Sequence, residues 1–443
     1  MALWCVTFIS SLDTTIVAML MGNISSYFKA AEKASWLGST YLLSLGTITS
    51  VIMSSLVPLR SRGIYQGLTN IVFGLGGATG APLGGILLDI MGWRGCFLIQ
   101  IPALLLSLLL IFLLIERDEP THFGPDESLW TKIKSLDLSG LISYAMVPLS
   151  SLIALDLINT RNMALTSAPV LGCIATVAVS LILLIFFESR ATMPLISLEV
   201  LSLRSAWSSL WGSMFLAMAY YGYNFYFPLY FQVVGQMAPS DLGARMIPAG
   251  VAIGVSSILT GVYIRKYGRY YKFCVALTSA ACLACIPMTM YRTDPPTVTP
   301  FVLNVFMSVG QSAYLVSTLV ALIHCVTSDK IGVATGMSYL FRSSGQVFGV
   351  VLSGGILQYN LQRELQDRIL GPGSDDLISQ LRHDSMLIPQ LPWELQNEAR
   401  VAYANALHRV FVFVNIFYCI SLLFFLLVED VSMDDEASSS QDE

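Results

Sequence analysis

Long apolar runs alternate with short polar segments along nearly the whole chain. A helix that crosses the hydrocarbon core of a bilayer needs roughly 20 apolar residues, and it must pair its own backbone groups because lipid cannot. Twelve runs meet this requirement, at 1–22, 35–57, 64–90, 93–115, 136–158, 165–188, 207–234, 242–264, 272–291, 299–325, 331–357 and 408–428. The pattern predicts an all-α polytopic membrane protein with about 12 transmembrane helices.

The spacing of the runs divides the chain into four parts. They are an N-terminal helical bundle at 1–115, two linker spans with their loops at 116–206, a C-terminal bundle at 207–428 and an acidic tail at 429–443. Within the C-terminal bundle, leucines alternate with charged and amide residues across 358–407, around a glycine and proline break at 371–373. This pattern predicts two short amphipathic helices on the membrane surface. The tail, rich in Asp, Glu and Ser, is expected to be disordered.

Composition supports a membrane protein. Hydrophobic residues make up 55% of the 443 residues and charged residues 12%, whereas soluble domains are about a quarter charged. The lipid bilayer is the expected partner, and the net charge of −5 does not indicate nucleic acid, because much of the acid lies in the tail. The eight cysteines fall almost entirely in apolar runs, which favours packing over a metal site. We expect no cofactor and no enzyme, since no nucleotide-binding loop or nucleophile elbow occurs.

The short loops carry a bias in basic residues. With the N-terminus placed in the cytoplasm, twelve Lys and Arg residues of these loops fall inside and six outside. Positive residues favour the cytoplasmic side of a membrane. The acidic tail is therefore predicted to be cytoplasmic, and the segment 358–407 to be lumenal or extracellular.

Two ionisable residues lie inside apolar runs, where a charge costs about 3 kcal/mol by insertion scales and usually faces a partner or a water-filled cavity. Asp13 is near the centre of the first run, where a carboxylate is able to exchange a proton or bind a cationic substrate. Its alternative is a structural ion pair with a neighbouring helix. Arg342, in the eleventh run, stays charged, so it is expected to influence a neighbouring acid or, preferably, to hold two helices in register.

Four other ionisable residues lie near the ends of runs. Asp89, Asp156 and Glu188 are expected at the membrane interface, where side chains reach water. His324 is expected to end its helix at the cytoplasmic face, with a proton relay as the alternative.

Glycines recur every four residues in the third run, at Gly76, Gly80 and Gly84, followed by Gly85. This spacing lets two membrane helices approach closely, and Pro82 is expected to bend the same helix. The spacing recurs at Gly250/Gly254 and Gly345/Gly349.

Aromatic and amide side chains are concentrated in the seventh run and recur in the tenth. They are expected either to line a substrate path, facing a cation with their rings, or to serve packing and the interfacial belt. The candidates for a substrate path are Tyr223, Asn224, Tyr226, Gln232, Asn304 and Gln311, and Tyr220 and Tyr221 lie in the same cluster.

The order of these motifs resembles the fungal branch of the fourteen-span drug:proton antiporters, within the major facilitator superfamily. The resemblance covers nearly the whole chain and rests on residues 12–18, 76–85, 92–94, 97–102, 187–196, 228–234, 243–248 and 341–345. Residues 57–67 are most similar to vacuolar amino-acid transporters of yeasts. The resemblance implies a major facilitator fold and makes Gly76, Gly80, Pro82, Gly84 and Gly85 the counterpart of the antiporter motif.

One part of the family pattern is missing. The family carries a basic gate loop between its second and third spans and an arginine motif in its fourth span. Here residues 35–44 resemble the start of the second span, whereas 47–58 already resemble the end of the fourth. The interpretation is an internal loss of about two spans, so the first bundle is shortened. Arg265, Lys266 and Arg269 resemble the corresponding cytoplasmic gate of the second half.

The resemblance implies a function. We expect a monomeric, proton-coupled secondary transporter in which protonation of Asp13 is exchanged for substrate, with basic amino acids moved into an acidic vacuole. Efflux of drugs or toxins, with the plasma membrane as the alternative location, is the second hypothesis. A transport-incompetent or regulatory paralogue, or a gene model that lacks an exon, is the third.

Overall fold

The computed structural model describes residues 2–39, 62–102, 138–159, 163–190, 196–291, 298–327, 330–370 and 374–430, with a few single residues between these ranges. Helices dominate these ranges, and no strand occurs in them. The predicted all-α class is confirmed. Outside the described residues lie most of the run 35–57, part of the run 93–115, the site of the interpreted loss, the segment 57–61 and the tail 431–443.

The α-helices of the described chain are numbered here in order. They are α1 (Ala2–Tyr27), α2 (Arg62–Leu98), α3 (Leu138–Asn159), α4 (Ala168–Glu188), α5 (Leu198–Ser202), α6 (Arg204–Val233), α7 (Pro239–Tyr267), α8 (Tyr271–Met288), α9 (Thr299–His324), α10 (Ile331–Arg368), α11 (Ser374–His383) and α12 (Trp393–Leu426). Residues 34–39 are also helical, and short 3-10 turns occur at Ala31–Lys33 and Ser385–Gln390.

Eight of these helices contain a segment long and apolar enough to cross a membrane. The segments are Thr7–Tyr27, Val72–Leu98, Ala168–Glu188, Pro239–Tyr267, Tyr271–Met288, Thr299–His324, Ile331–Arg368 and Trp393–Leu426. A shorter apolar segment, Ile142–Ile158, lies in α3. Helix α6 is as long as its neighbours, but serines and tyrosines lower its hydropathy, and most of its side chains are buried. A helix enclosed by other helices need not be as apolar as one that faces lipid.

The helices form two halves and a linker pair. In the first half, α1 packs against α2. In the second half, α6 is enclosed by α9, α10 and α12, while α8 packs on α9 and α12. The halves meet where α2 packs against α7 and α1 against α6. The linker pair, α3 and α4, packs together and contacts the second half through α10.

The bundle has two ends, which are named here by their residues. The capped face carries residues 27–34, 234–238, 369–370 and 374–391, and the basic face carries 189–190, 196–203, 265–271, 325–327 and 330. They correspond to the predicted lumenal and cytoplasmic sides. Gly92, between the third and fourth runs, interrupts α2 with a positive φ of 70°. This break lies at the capped face, since Arg94 donates to the Tyr27 hydroxyl at 3.2 Å.

The prediction of two short surface helices in segment 358–407 is wrong. Helix α10 continues to Arg368 and α12 begins at Trp393, so both amphipathic stretches are extensions of spans rather than separate surface helices. A further helix, α11, was not predicted. The two extensions are tied together, since Arg368 forms an ion pair with Glu398 at 3.1 Å and Asn405 donates to Glu364 at 2.8 Å.

Candidate functional site

The candidate site lies where α1 and α2 face the second half. Asp13 on α1 is half-buried, and its Oδ1 atom is shielded from solvent. The neighbouring hydroxyls donate hydrogen bonds to backbone carbonyls. Thr14 donates to the Ser10 carbonyl of the same helix at 2.7 Å, and Ser11 donates to the Phe73 carbonyl on α2. The Asp13 segment is thereby fixed against α2.

Arg342 reaches the same place from the second half. Its guanidinium carbon lies 5.9 Å from the ring centre of Phe73 and 5.3 Å from that of Tyr339, distances typical of cation–π contacts. Phe73 therefore contacts the Asp13 segment with its carbonyl and Arg342 with its ring. Arg342 and the α1 segment that carries Asp13 come from opposite halves and share this neighbour. Nothing in the sequence pattern pointed to Phe73, because an aromatic residue beside a glycine is common in membrane helices.

Three glycines of α2 face α1. A Cβ atom at Gly76 would overlap the Phe8 carbonyl oxygen, and one at Gly80 would overlap the Leu12 carbonyl oxygen. At Gly84 the nearest atom would be Ile16 Cγ1, at 3.3 Å. The close helix approach predicted from the spacing is confirmed. A role of these residues in antiport stays a prediction.

The other side of α2 meets α7 in what is called here the glycine seam, formed by Gly74, Ala78, Ala81, Pro82 and Gly85 of α2 with Pro239, Gly243, Gly250 and Gly254 of α7. A Cβ at Gly243 would lie 2.6 Å from the Ala81 carbonyl oxygen and 3.0 Å from the Cα of Pro82. A Cβ at Gly250 would overlap Ala78. The backbones of the two halves thus touch directly along the seam.

The six substrate-path candidates do not lie in one place. Tyr223 and Tyr226 are buried in the second half, where Tyr223 packs on Phe227 with ring centres 4.9 Å apart and Tyr226 donates to the Val350 carbonyl at 3.4 Å. Asn224 is half-buried, and Asn304 and Gln311 are buried on α9. Burial of the two tyrosines favours the packing alternative for them.

Gln232 instead belongs to a contact between the halves. The polar latch is defined here as Gln232, Gln358 and Ser385 with their partners on α1 and residues 26–31. Gln232 donates to the Met19 carbonyl at 3.0 Å, Gln358 donates to the Ala31 carbonyl at 3.4 Å, and the hydroxyls of Ser385 and Ser26 are 3.2 Å apart. These hydrogen bonds join the halves at the capped face.

A small cavity lies within the latch. Its polar lining is Ser25, Ser35, Tyr226, Gln358, Ser385 and Tyr403, and it has room for roughly one or two water molecules. Arg400 connects α12 to the end of α6 next to the latch. Its Nε and Nη2 atoms donate to the Val234 carbonyl at 3.0 and 2.8 Å. This carbonyl is at the C-terminal end of α6, where a cation is favoured by the helix dipole.

The basic face carries the remaining predicted residues. Arg265, Lys266 and Arg269 are exposed at the end of α7, which Gly268 closes with a φ of 62°. Burial, helped by the nearby Asp430 carboxylate, raises the pKa of Tyr270 to about 12, so its hydroxyl remains a donor to the Glu429 carbonyl. The gate role of the three cations stays a prediction.

The residues predicted near span ends are placed as follows. Glu188 is buried and accepts a hydrogen bond from the Ile196 backbone at 3.0 Å, which fixes the turn after α4. Asp89 is exposed and Asp156 half-buried. Helix α9 ends at His324, as predicted.

Comparison with known proteins gives the family. The model of the Major Facilitator Superfamily matches residues 44–350. The chain belongs to this superfamily. Over 94% of its length it is 31% identical to the multidrug resistance protein fnx1 of Schizosaccharomyces pombe, of which it covers 89%. Over 87% of its length it is 25% identical to the vacuolar basic amino acid transporter 2 of Saccharomyces cerevisiae, of which it covers 83%.

Solved structures agree on the fold. The chain is similar to a bacterial homologue of the human lysosomal transporter Spinster in an inward-facing and occupied conformation, with a TM-score of 0.58 and 15% identity over 96% of this chain and 95% of the other. The chain is therefore a multi-pass membrane transporter of the major facilitator fold. The predicted family, fold and transporter class are confirmed, and an enzyme is excluded.

Proposed function

We propose that this transporter is a proton-coupled antiporter that moves basic amino acids into the vacuole. The observation that carries the proposal is the half-buried carboxylate of Asp13 inside a span, on a segment of α1 that Ser11 ties to Phe73, whose ring faces Arg342 of the other half. A carboxylate inside a span is able to hold either a proton or a cationic group, but not both at once. Exchange of one for the other is the minimal requirement of antiport.

The arrangement of the halves supports alternating access. The seam and the latch close the capped face, so substrate enters the site from the basic face. Rocking of the halves then exposes the site to the capped face, where a proton from the acidic compartment replaces the substrate on Asp13. Arg342 moves with the second half, so its distance from the Asp13 segment changes as the halves rock, which makes proton affinity depend on conformation.

The substrate class rests on similarity. The relative from Saccharomyces cerevisiae is named as a vacuolar basic amino acid transporter, and a single carboxylate suits the cationic side chains of lysine and arginine. Drug efflux is the second candidate, and it is favoured by the name of the relative with 31% identity, multidrug resistance protein fnx1. A lipophilic cation would meet the same carboxylate.

A transport-incompetent paralogue is the third candidate. The alignment with fnx1 extends over 487 positions, although the chain has 443 residues, so the relative contains at least 44 residues without a counterpart here. This gap supports the interpreted internal loss. The contact between the Asp13 segment, Phe73 and Arg342 opposes loss of function.

The test is uptake into vesicles that contain the purified chain and hold an acidic interior. We expect labelled lysine and arginine to accumulate, and an uncoupler or Asp13→Asn to abolish the accumulation. Asp89→Asn is the matched control, because Asp89 is an exposed carboxylate on α2, and it should retain full uptake.

The alternatives are distinguished in the same vesicles. Transport of a lipophilic cation dye without transport of lysine would replace the amino-acid proposal with drug efflux. If the folded, inserted chain moves neither, the paralogue is transport-incompetent. Full lysine uptake by Asp13→Asn would remove Asp13 from the mechanism.

A further inference from the structure

The linker pair contacts the segment that carries Arg342 through one buried tyrosine. The Tyr144 hydroxyl of α3 lies 2.9 Å from the Leu340 carbonyl, 3.0 Å from the Ser343 hydroxyl and 2.8 Å from the Ser344 hydroxyl. All three partners are on α10, within two residues of Arg342. Tyr144 is only 7% exposed and packs with Leu184 and Leu340.

The polar groups of this cluster serve as hydrogen-bond partners for one another. Tyr144 donates to the Leu340 carbonyl and accepts from a serine hydroxyl, while Ser343 and Ser344 also lie 3.0 Å from that carbonyl. A buried hydroxyl without a partner is costly, so a shift of α3 along α10 would leave polar groups unpaired in an apolar surrounding. The docking position of α3 on α10 is therefore specified by this cluster.

The cluster and Arg342 lie on opposite sides of α10. Successive residues of a helix are about 100° apart, which puts Leu340, Ser343 and Ser344 on one face and Arg342 nearly opposite. A third side of α10 is fixed as well, since a Cβ at Gly345 would overlap the Met214 carbonyl oxygen of α6. The segment of α10 that carries Arg342 is therefore held at two places, by the Tyr144 cluster on the opposite face and by the close contact at Gly345.

We propose that Tyr144 is a positioning residue for Arg342, and that the linker span α3 acts as a brace which sets the height and rotation of this arginine against Phe73. The effect on transport rests on the proposed function, because the position of Arg342 matters for transport only if Arg342 influences the proton affinity of Asp13. Its structural part stands independently of the substrate. The brace would also be a role for the linker pair, α3 and α4, whose described residues are not part of the candidate site.

The first readout is independent of transport. We expect Tyr144→Phe to raise amide hydrogen exchange in the peptide spanning 338–346 by about fivefold, the effect of one neutral hydrogen bond of typical strength. Tyr314→Phe is the matched control, since Tyr314, like Tyr144, is buried and donates to a backbone carbonyl, that of Ser421, at 3.2 Å. That variant should leave exchange at 338–346 unchanged. Unchanged exchange in Tyr144→Phe would overturn the brace.

The second readout separates positioning from general stability. Tyr144→Phe should shift the pH of half-maximal uptake in the same direction as Arg342→Lys and by a smaller amount, whereas Tyr314→Phe should change only the amount of folded protein. Adding Ser344→Ala to Tyr144→Phe should cause little further shift, because the two changes remove the same contact. A pH profile identical to wild type would overturn the positioning role.

Failure of the proposed function gives a different result. If wild-type vesicles show no proton-driven uptake, no pH profile exists for any variant, but the exchange experiment still reports on the brace. Increased exchange with no uptake would leave the brace as a structural feature and would overturn its role in coupling.

Discussion

Two contacts hold the halves together towards the capped face, and they are built from different groups. The glycine seam brings the backbones of α2 and α7 into direct contact, whereas the polar latch uses the side chains of Gln232, Gln358 and Ser385. At Gly85, Gly243 and Gly250 of the seam, an added atom must displace backbone, which is costly in a close-packed interior. A hydrogen bond of the latch is exchanged for one with water at a net cost of about 1 kcal/mol. The seam is therefore expected to set the distance between the halves, and the latch to be the part that opens.

The largest effect is expected when the stabilities of two glycine variants on α7 are compared. Gly250→Ala should lower the free energy of unfolding by about 3 kcal/mol, because its Cβ would overlap Ala78 of α2. Gly254→Ala, four residues further on, finds no atom within 4 Å of its Cβ and should be neutral or stabilising by up to about 1 kcal/mol. Thermal unfolding in one detergent measures both. Equal effects would mean that the seam is not closely packed.

A second test concerns the support behind the latch. Arg400→Ala removes two hydrogen bonds from a cation to the Val234 carbonyl, so it should destabilise the protein by about 2 kcal/mol. Arg363→Ala is the control, because Arg363 is exposed on α10 and contacts the Tyr359 hydroxyl; it should change stability by less than about 0.5 kcal/mol. Chemical unfolding followed by tryptophan fluorescence compares the two. Similar losses would show that Arg400 does not fasten α12 to α6.

The smallest effect is expected in the latch itself. Gln232→Leu should cost about 1 kcal/mol or less, but it should raise hydrogen exchange at 17–27, because the capped face opens more often. Gln100→Leu removes an equally buried amide whose bond, to the Cys96 carbonyl at 3.1 Å, stays within one segment, so it should leave exchange at 17–27 unchanged. A large loss of stability without faster exchange would assign Gln232 to static packing.

Some residues of the site could be predicted from the sequence because they carry a clear physical signal, and others could not. Glycine spacing predicted close approach on α2, and Asp13 and Arg342 were identified because charge inside an apolar run is costly. Phe73 and Tyr144 were missed, since aromatic residues are frequent in membrane helices and their roles depend on which helix lies opposite. For Gln232 the residue type predicts either a substrate path or packing, but it does not predict the partner, the Met19 carbonyl, which is 213 residues away in the chain.

The error in segment 358–407 has a local cause. No proline or glycine stops α10 between Tyr359 and Arg368, so the helix continues beyond the apolar run. An amphipathic pattern alone does not tell a surface helix from the extension of a span. The contacts among Arg368, Glu398, Glu364 and Asn405 decide it, because they pair the extensions of α10 and α12.

The sequence by itself determined that the chain is a helical membrane protein, where most spans lie and which helix carries close-packed glycines. These properties follow from free energies that each segment has on its own, the transfer of apolar residues into lipid and the pairing of backbone groups within a helix. Only the tertiary structure decided that α2 lies between α1 and α7, that Arg342 reaches Phe73, and that Tyr144 docks the linker pair on α10. Helices in lipid have little hydrophobic preference for one neighbour over another, so partner choice depends on shape and on a few hydrogen bonds between residues distant in the chain.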